Sequence, residues 1–188
     1  MKNIPDGSID MILCDLPYGT TQCKWDTIIP LDKLWKQYNR VCKKNAAILL
    51  TSAQPFTSAL IMSNPKYFKY NWIWEKSKAT GYLNAKKMPM RAHEDVCVFY
   101  RKPPTYNPQM VQGTPYNKGK AHRPTDVYGA QKSVLVKNDT GLRYPRTVQY
   151  FKTAESEGKK SVIHPTQKPL ALFEYLIKTY SNEGELIL

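Results

Sequence analysis

Histidine is scarce, paired cysteine spacing is missing, acid is outnumbered and long apolar runs do not occur in this chain of 188 residues. His93, His122 and His164 are scattered, so the sequence has no local zinc signature, and a metal site would have to be assembled across the fold. Cys14, Cys23, Cys42 and Cys97 show no C-x-x-C spacing, and Cys14, Cys42 and Cys97 lie in or beside apolar runs, where a thiol acts as a small hydrophobe. A reduced, cytoplasmic protein is expected. No stretch reaches the roughly 18 apolar residues needed to span a bilayer, and the opening MKNIPDGSID has the pattern of neither a signal peptide nor a transit sequence. Asp and Glu total 15 against 28 Lys and Arg, giving a net charge of +13 and a pI near 9.5. That balance favours a polyanionic partner such as nucleic acid over an acidic protein.

What the chain does have is a hydrophobic fraction of 41%, enough for a core at about the size of one domain, together with 13 Tyr and 4 Trp. Aromatics beside cations suit contact with unstacked bases, although packing consumes many of them. Ser8 to Cys14 reads as a buried strand; Leu31, Leu34, Trp35, Tyr38, Val41 and Cys42 then recur at helical spacing behind Pro30. Ala46 to Thr51 suits a central parallel strand, Pro55 to Met62 a helix, and Phe68 to Trp74 and Asp95 to Tyr100 two further strands separated by a lysine-rich loop. Strands alternating with helices predict an open α/β sheet covered on both faces.

From Arg101 to about Lys160 periodicity is lost and cations dominate: the only acids are Asp126, Asp139, Glu155 and Glu157, and Tyr106, Tyr116, Tyr128, Tyr144 and Tyr150 are interleaved. Lys118, Lys120, Arg123, Arg143 and Arg146 are the candidate contacts to a nucleic-acid backbone in this segment. Order returns at HPTQKP, His164 to Pro169, followed by Leu170, Leu172, Phe173, Leu176, Ile177 and Tyr180 at helical spacing, with Pro169 suited to the first turn. Glu185 to Leu188 reads as the start of another buried strand.

In open α/β sheets ligands bind at the carboxyl ends of strands, and DLPY, Asp15 to Tyr18, sits at such an end. DLPY, WIWEK at Trp72 to Lys76, AHEDVCVFYRK at Ala92 to Lys102, and HPTQKP at His164 resemble, in that order, the β-class amino-methyltransferases of DNA. The resemblance implies a Rossmann-like, S-adenosylmethionine-dependent methyltransferase fold: a mostly parallel sheet with helices on both faces and a basic irregular insertion. It divides the chain into a catalytic α/β portion (1–100), a target-recognition insertion (101–160), and a return to the catalytic domain with HPTQKP, a helix and the start of a cofactor-binding strand (161–188).

The implied reaction moves a methyl group from S-adenosylmethionine to an exocyclic amino nitrogen of a base flipped out of double-stranded DNA. Adenine N6 is favoured over cytosine N4 because the motif opens with Asp, and no cysteine follows a proline, as carbon methylation of cytosine would call for. By resemblance, Asp15 and the Leu16 carbonyl accept hydrogen bonds from the amino group, Pro17 stiffens the loop, and Tyr18 stacks on the base. Asp15 with His164, Pro165, Thr166, Gln167 and Lys168 would line the cofactor pocket, Thr166 bonding the methionine portion and Lys168 or the following helix end offsetting its carboxylate. Trp72, Trp74 and Phe56 are candidates for the wall of the base pocket, with core packing expected for at least two of them. His93-Glu94 fits the same pattern with no role beyond polar contacts at a strand start.

Two departures matter. Leu16 stands where many members have proline, and the Phe-x-Gly-x-Gly cofactor loop expected after the last strand would follow Leu188. A fragment, a portion, or a degenerate copy is therefore expected. The alternatives are a truncated, non-catalytic DNA-binding remnant, or an N-methyltransferase acting on RNA or protein amides. A partner endonuclease, as in restriction-modification pairs, is the protein partner such a resemblance allows.

Overall fold

The computed structural model describes residues 1–121, 133–158, 162–164 and 166–188. Strand β1 (Ile9–Asp15) leads through a long loop to helix α1 (Leu31–Val41), which runs directly into β2 (Cys42–Ser52). Helix α2 (Phe56–Ser63), β3 (Phe68–Thr80) and β4 (Arg91–Phe99) follow. After the short strands β5 (Val111–Gln112), β6 (Tyr116–Ala121), β7 (Val134–Asn138) and β8 (Leu142–Arg143) come β9 (Val148–Phe151), a single-turn helix α3 (Ala154–Glu157) and α4 (Leu170–Tyr180). The described residues form two compact units, one of Met1–Asn107 with Arg146–Leu188 and one of Pro108–Pro145.

The larger unit is built on one sheet of order β1-β2-β4-β3-β9. Alternation along each strand sorts its side chains onto two faces. Ile12, Ala46, Ile48, Leu50, Cys97 and Phe99 join Leu34, Trp35, Tyr38 and Val41 of α1 and Phe56 and Leu60 of α2 in one core. Met11, Ala47, Leu49, Val96 and Val98, the neighbours in sequence, meet Trp72, Trp74 and Leu172, Leu176 and Tyr180 of α4 on the opposite face. Two of the buried indoles find acceptors: Trp35 Nε1 donates to Ser63 Oγ at 2.8 Å, and Trp72 Nε1 donates to the Tyr180 hydroxyl at 2.7 Å.

Sheet direction departs from the mostly parallel expectation. β1–β2 and β3–β9 pair in parallel, but β4 runs antiparallel to both β2 and β3. β4 returns from β3 through the lysine-rich loop, with Thr80 opposite Arg91, and that direct return forces the reversal. Glu185 to Leu188 forms a single parallel bridge, Met11 to Ile187, with Leu188 N–H donating to the Met11 carbonyl at 2.9 Å. The segment without periodicity in sequence supplies β9 to the main sheet.

In the smaller unit β5 pairs with β8 and β6 with β7, all antiparallel. Strands this short show no sustained alternation, which explains why the sequence pattern concealed them. Gly141 closes the turn into β8 at φ 78°, where an added Cβ would fall 2.2 Å from the Gly113 carbonyl oxygen.

Candidate active site

A cavity of about 590 Å³ opens at one edge of the main sheet. Asp15 and Ala53 bring the carboxyl ends of β1 and β2 to it, Trp74, Lys76 and Thr80 that of β3, and Thr153 lies just past β9. Because β4 runs the other way, its amino end, Arg91, His93 and Glu94, reaches the same rim. Asp15, Leu16, Pro17, Tyr18, His164, Thr166, Gln167 and Lys168, named from sequence, all line this cavity. Pro165 lies outside the described residues.

The Leu16 side chain is buried in the core under α1 and α2, and anchors the loop as it leaves β1. Beyond Tyr18, the backbone N–H groups of Gly19, Thr20 and Thr21 donate to the Asp26 carboxylate at 2.9, 2.8 and 2.8 Å. Burial opposes ionisation of Asp26, but these donors outweigh it and hold its pKa down to about 2. Gly19 has φ 66°, and a Cβ there would fall 2.9 Å from Ile28 Cγ1, so the turn after DLPY requires glycine.

Around Asp15 the charges alternate. Lys168 Nζ lies 2.9 Å from Asp15 Oδ1 and 3.4 Å from Glu94 Oε2, and Lys76 Nζ lies 3.3 Å from Glu94 Oε1. The Lys76 side chain is only 5% exposed and that of Lys168 10%, so both ammonium groups are largely withdrawn from water, while the Asp15 side chain is 32% exposed. Thr51, Asp15's register partner on β2, donates its hydroxyl to the same carboxylate. The Tyr18 hydroxyl lies 3.2 Å from Asp15 Oδ1 and 3.4 Å from Glu94 Oε2. Burial first, then the charges of Asp15 and Glu94, hold this phenol protonated far above its ordinary range.

Tyr18 stacks on Phe56 with centroids 5.6 Å apart, which leaves its other face to the Lys168 ammonium, 5.0 Å from the ring centre. Phe56 thus supports Tyr18 from within the core, Trp74 reaches the cavity wall, and Trp72 is core. At the outer rim Trp25 and His164 meet edge to face at 5.0 Å. The His164 ring nitrogen Nδ1 accepts from the Thr166 backbone N–H at 3.3 Å. The amino end of α4 already holds an anion: the Glu157 carboxylate accepts from Leu170 and Ala171 N–H at 2.7 and 2.8 Å.

Sequence reasoning passed over Thr51, Asp26 and the ionic role of Glu94 and Lys76. Thr51 closing an apolar strand and Glu94 opening one were the available signals, each a polar residue at a strand end facing the site.

Of the residues named for backbone contact, Lys118, Lys120 and Arg143 belong to the smaller unit and Arg146 to the larger; all are exposed. Lys118 and Arg143 both lie over the Tyr116 ring, at 5.3 and 5.7 Å. Arg123 lies outside the described residues. Among the described residues no cluster of His, Cys, Asp and Glu is arranged to hold a metal ion.

Residues 9–188 match a family model described as DNA methylase, of the N6/N4 type. The chain is 26% identical, over 201 aligned residues, to the type II methyltransferase M.HpaI of Haemophilus parainfluenzae; the match covers all of this chain and 59% of that protein. It therefore spans less than two thirds of the length of this curated relative. Among solved structures, PvuII DNA methyltransferase (cytosine-N4-specific) superposes with a TM-score of 0.65 at 12% identity, covering 99% of this chain and 68% of the other. The M1.HpyAVI–SAM complex gives a TM-score of 0.57 at 18% identity, covering 99% and 72%. These likenesses establish the fold: the mixed sheet with helices on both faces is Rossmann-like, of the methyltransferase type.

Proposed function

The chain belongs to the DNA methylase family of N6 and N4 amino-methyltransferases, and from that premise we propose that its cavity takes a base flipped out of duplex DNA and presents the exocyclic amino group for methylation. The observation that carries this reading is the seat of Lys168. Its ammonium donates to the Asp15 carboxylate while lying over the Tyr18 ring, as the amino group of a base stacked on Tyr18 would. Lys168 thus supports the reading that Asp15 can accept from an N–H donor lying over Tyr18.

An exocyclic amino group is a weak nucleophile because its lone pair is delocalised into the ring. Two fixed acceptors, Asp15 and the Leu16 carbonyl, bias the nitrogen towards a tetrahedral form whose lone pair is free to attack. Fixed acceptors work by positioning and electrostatic preorganisation, and Thr51 and the loop closed on Asp26 hold the carboxylate's surroundings in place before substrate arrives. Stacking on Tyr18 would contribute roughly 1–3 kcal/mol to holding the base. For the base to enter, Lys168 must leave Asp15; Glu94, already 3.4 Å away, supplies the second carboxylate it turns to.

The cavity as a whole, about 590 Å³, lies within the usual range for ligand sites, and S-adenosylmethionine bound in it would supply the electrophilic methyl. Thr166 and Lys168 would hold the methionine portion, with His164 and Gln167 beside them. Adenine N6 is our preferred acceptor, on the Asp that opens DLPY.

Nucleoside mass spectrometry after incubation of the protein with unmethylated duplex DNA and S-adenosylmethionine tests the reading. N6-methyladenine is expected. N4-methylcytosine would replace the base assignment, and methyl found on cytosine C5, on RNA alone or on protein would overturn the reading itself.

A further inference from the structure

The loop that joins β3 to β4 carries an exposed, partly apolar and strongly basic surface. Every residue from Thr80 to His93 is exposed. At its tip, Leu83 is 97% and Tyr82 79% exposed, with Met88 and Met90 exposed behind them. The tip has a defined shape: Gly81 adopts φ 95°, Tyr82–Asn84 form a single 3₁₀ turn, and Met88 N–H donates to the Asn84 carbonyl at 3.0 Å. Water exposure of a leucine and a tyrosine together on a shaped tip is unfavourable for an isolated protein and points to a partner.

Charge identifies that partner. From Lys76 through His93 the sequence has no acidic residue, and it includes Lys78, Lys86, Lys87 and Arg91. Lys76 and Lys78 are paired with Glu94 and Glu155, whereas among the described residues no carboxylate pairs with Lys86, Lys87 or Arg91. The loop also begins and ends at the active-site rim, since both Thr80 and Arg91 line the cavity.

We propose that this loop is a second DNA contact, resting on the DNA reading above: Lys86, Lys87 and Arg91 engage phosphates beside the target, and Tyr82 and Leu83 enter the duplex where the flipped base has left. Apolar side chains placed between base steps are an established way to hold a distorted duplex, and a flipped base leaves just such a gap. The contact uses residues other than Lys118, Lys120 and Arg143 of the smaller unit, which were named for DNA from sequence.

Fluorescence anisotropy with a labelled duplex of randomised sequence, titrated at several stated salt concentrations, tests the phosphate contacts. The combined Lys86→Gln, Lys87→Gln and Arg91→Gln variant is expected to weaken binding and flatten the plot of log K against log salt by up to about 2.7, at roughly 0.9 per phosphate contact. Removing equal charge from elsewhere, with Lys33→Gln, Lys36→Gln and Lys44→Gln, is expected to change the slope much less; an equal change would reduce the effect to net charge and overturn the contact.

For the apolar tip, a duplex with an abasic site is the probe. Preferential binding to it over the intact duplex is expected for the native protein and lost in Leu83→Ser, with the salt slope and thermal midpoint unchanged. A preference that survives Leu83→Ser, or is never present, overturns the insertion. Vesicles of phosphatidylcholine and phosphatidylglycerol serve as the competing surface, and binding to them that Leu83→Ser abolishes while DNA binding stays intact would overturn the assignment to DNA. If the native protein binds no duplex at low salt, the functional reading fails as a whole; if it binds and the loop variants bind equally, only the loop's role fails.

Discussion

Asp15 accepts from the Thr51 hydroxyl, Lys168 Nζ and the Tyr18 hydroxyl, so its carboxylate is oriented without being sealed. Asp15→Ala is expected to abolish methyl transfer while salt-dependent DNA binding remains near native; loss of the folded state by circular dichroism would make Asp15 structural instead. Glu94 answers to two ammonium groups, Lys76 and Lys168. Glu94→Gln therefore leaves Lys76 without its anion at a largely buried position, with an expected loss of roughly 1–3 kcal/mol in urea denaturation. A loss that vanishes in the background of Lys76→Met would attribute the cost to that pair, and an unchanged midpoint would refute it. The sign for Asp26 is fixed by its depressed pKa. Its hydrogen bonds contribute stability above the unfolded value of 3.8, and that contribution fades as pH falls towards about 2. The acid limb of a stability-against-pH curve should flatten across this window in Asp26→Asn, and an identical limb would contradict the assignment.

The elements place these residues, and α2 and α4 do so from opposite faces. α2 presents Phe56 beneath Tyr18, while Thr57 Oγ1 donates to the buried Asp95 carboxylate at 2.9 Å and ties the helix to β4. α4 covers the other face with Leu172, Leu176 and Tyr180, and its first turn follows Lys168 directly. Leu176→Ala is expected to cost about 2–5 kcal/mol in denaturant unfolding, as buried leucine truncations do. Phe56→Leu should cost less stability but weaken base binding, because Tyr18 loses the ring it stacks on; equal stability and equal binding would remove Phe56 from the site. Strand identities here were legible in sequence because apolar runs such as Ala46 to Thr51 are long enough to show their nature. The ends were not: β3 continues past Trp74 to Thr80, and β4 begins at Arg91, in stretches where the residues are polar and only cross-strand pairing makes them strand.

At the scale of the whole molecule, the net charge of +13 is shared between two units. Neutralising Lys118, Lys120 and Arg143 together is expected to lower the salt dependence of DNA binding, and an unchanged slope would move the DNA footprint off the smaller unit. By itself the sequence determined that a carboxylate, a proline and a tyrosine stand at a strand end, that HPTQKP introduces a helix, and that the chain carries a net charge of +13. Those conclusions follow from local spacing, local dihedral restriction and summed charge, none of which needs a partner distant in the chain. Only the tertiary structure decided that Lys168 closes on Asp15 across 153 positions, that Glu94 mediates between Lys168 and Lys76, and that β4 reverses to bring Arg91 to the same rim. The reason is physical: an ion pair or a strand direction is fixed by which residues meet once the core has closed, and such meetings leave no period in the sequence.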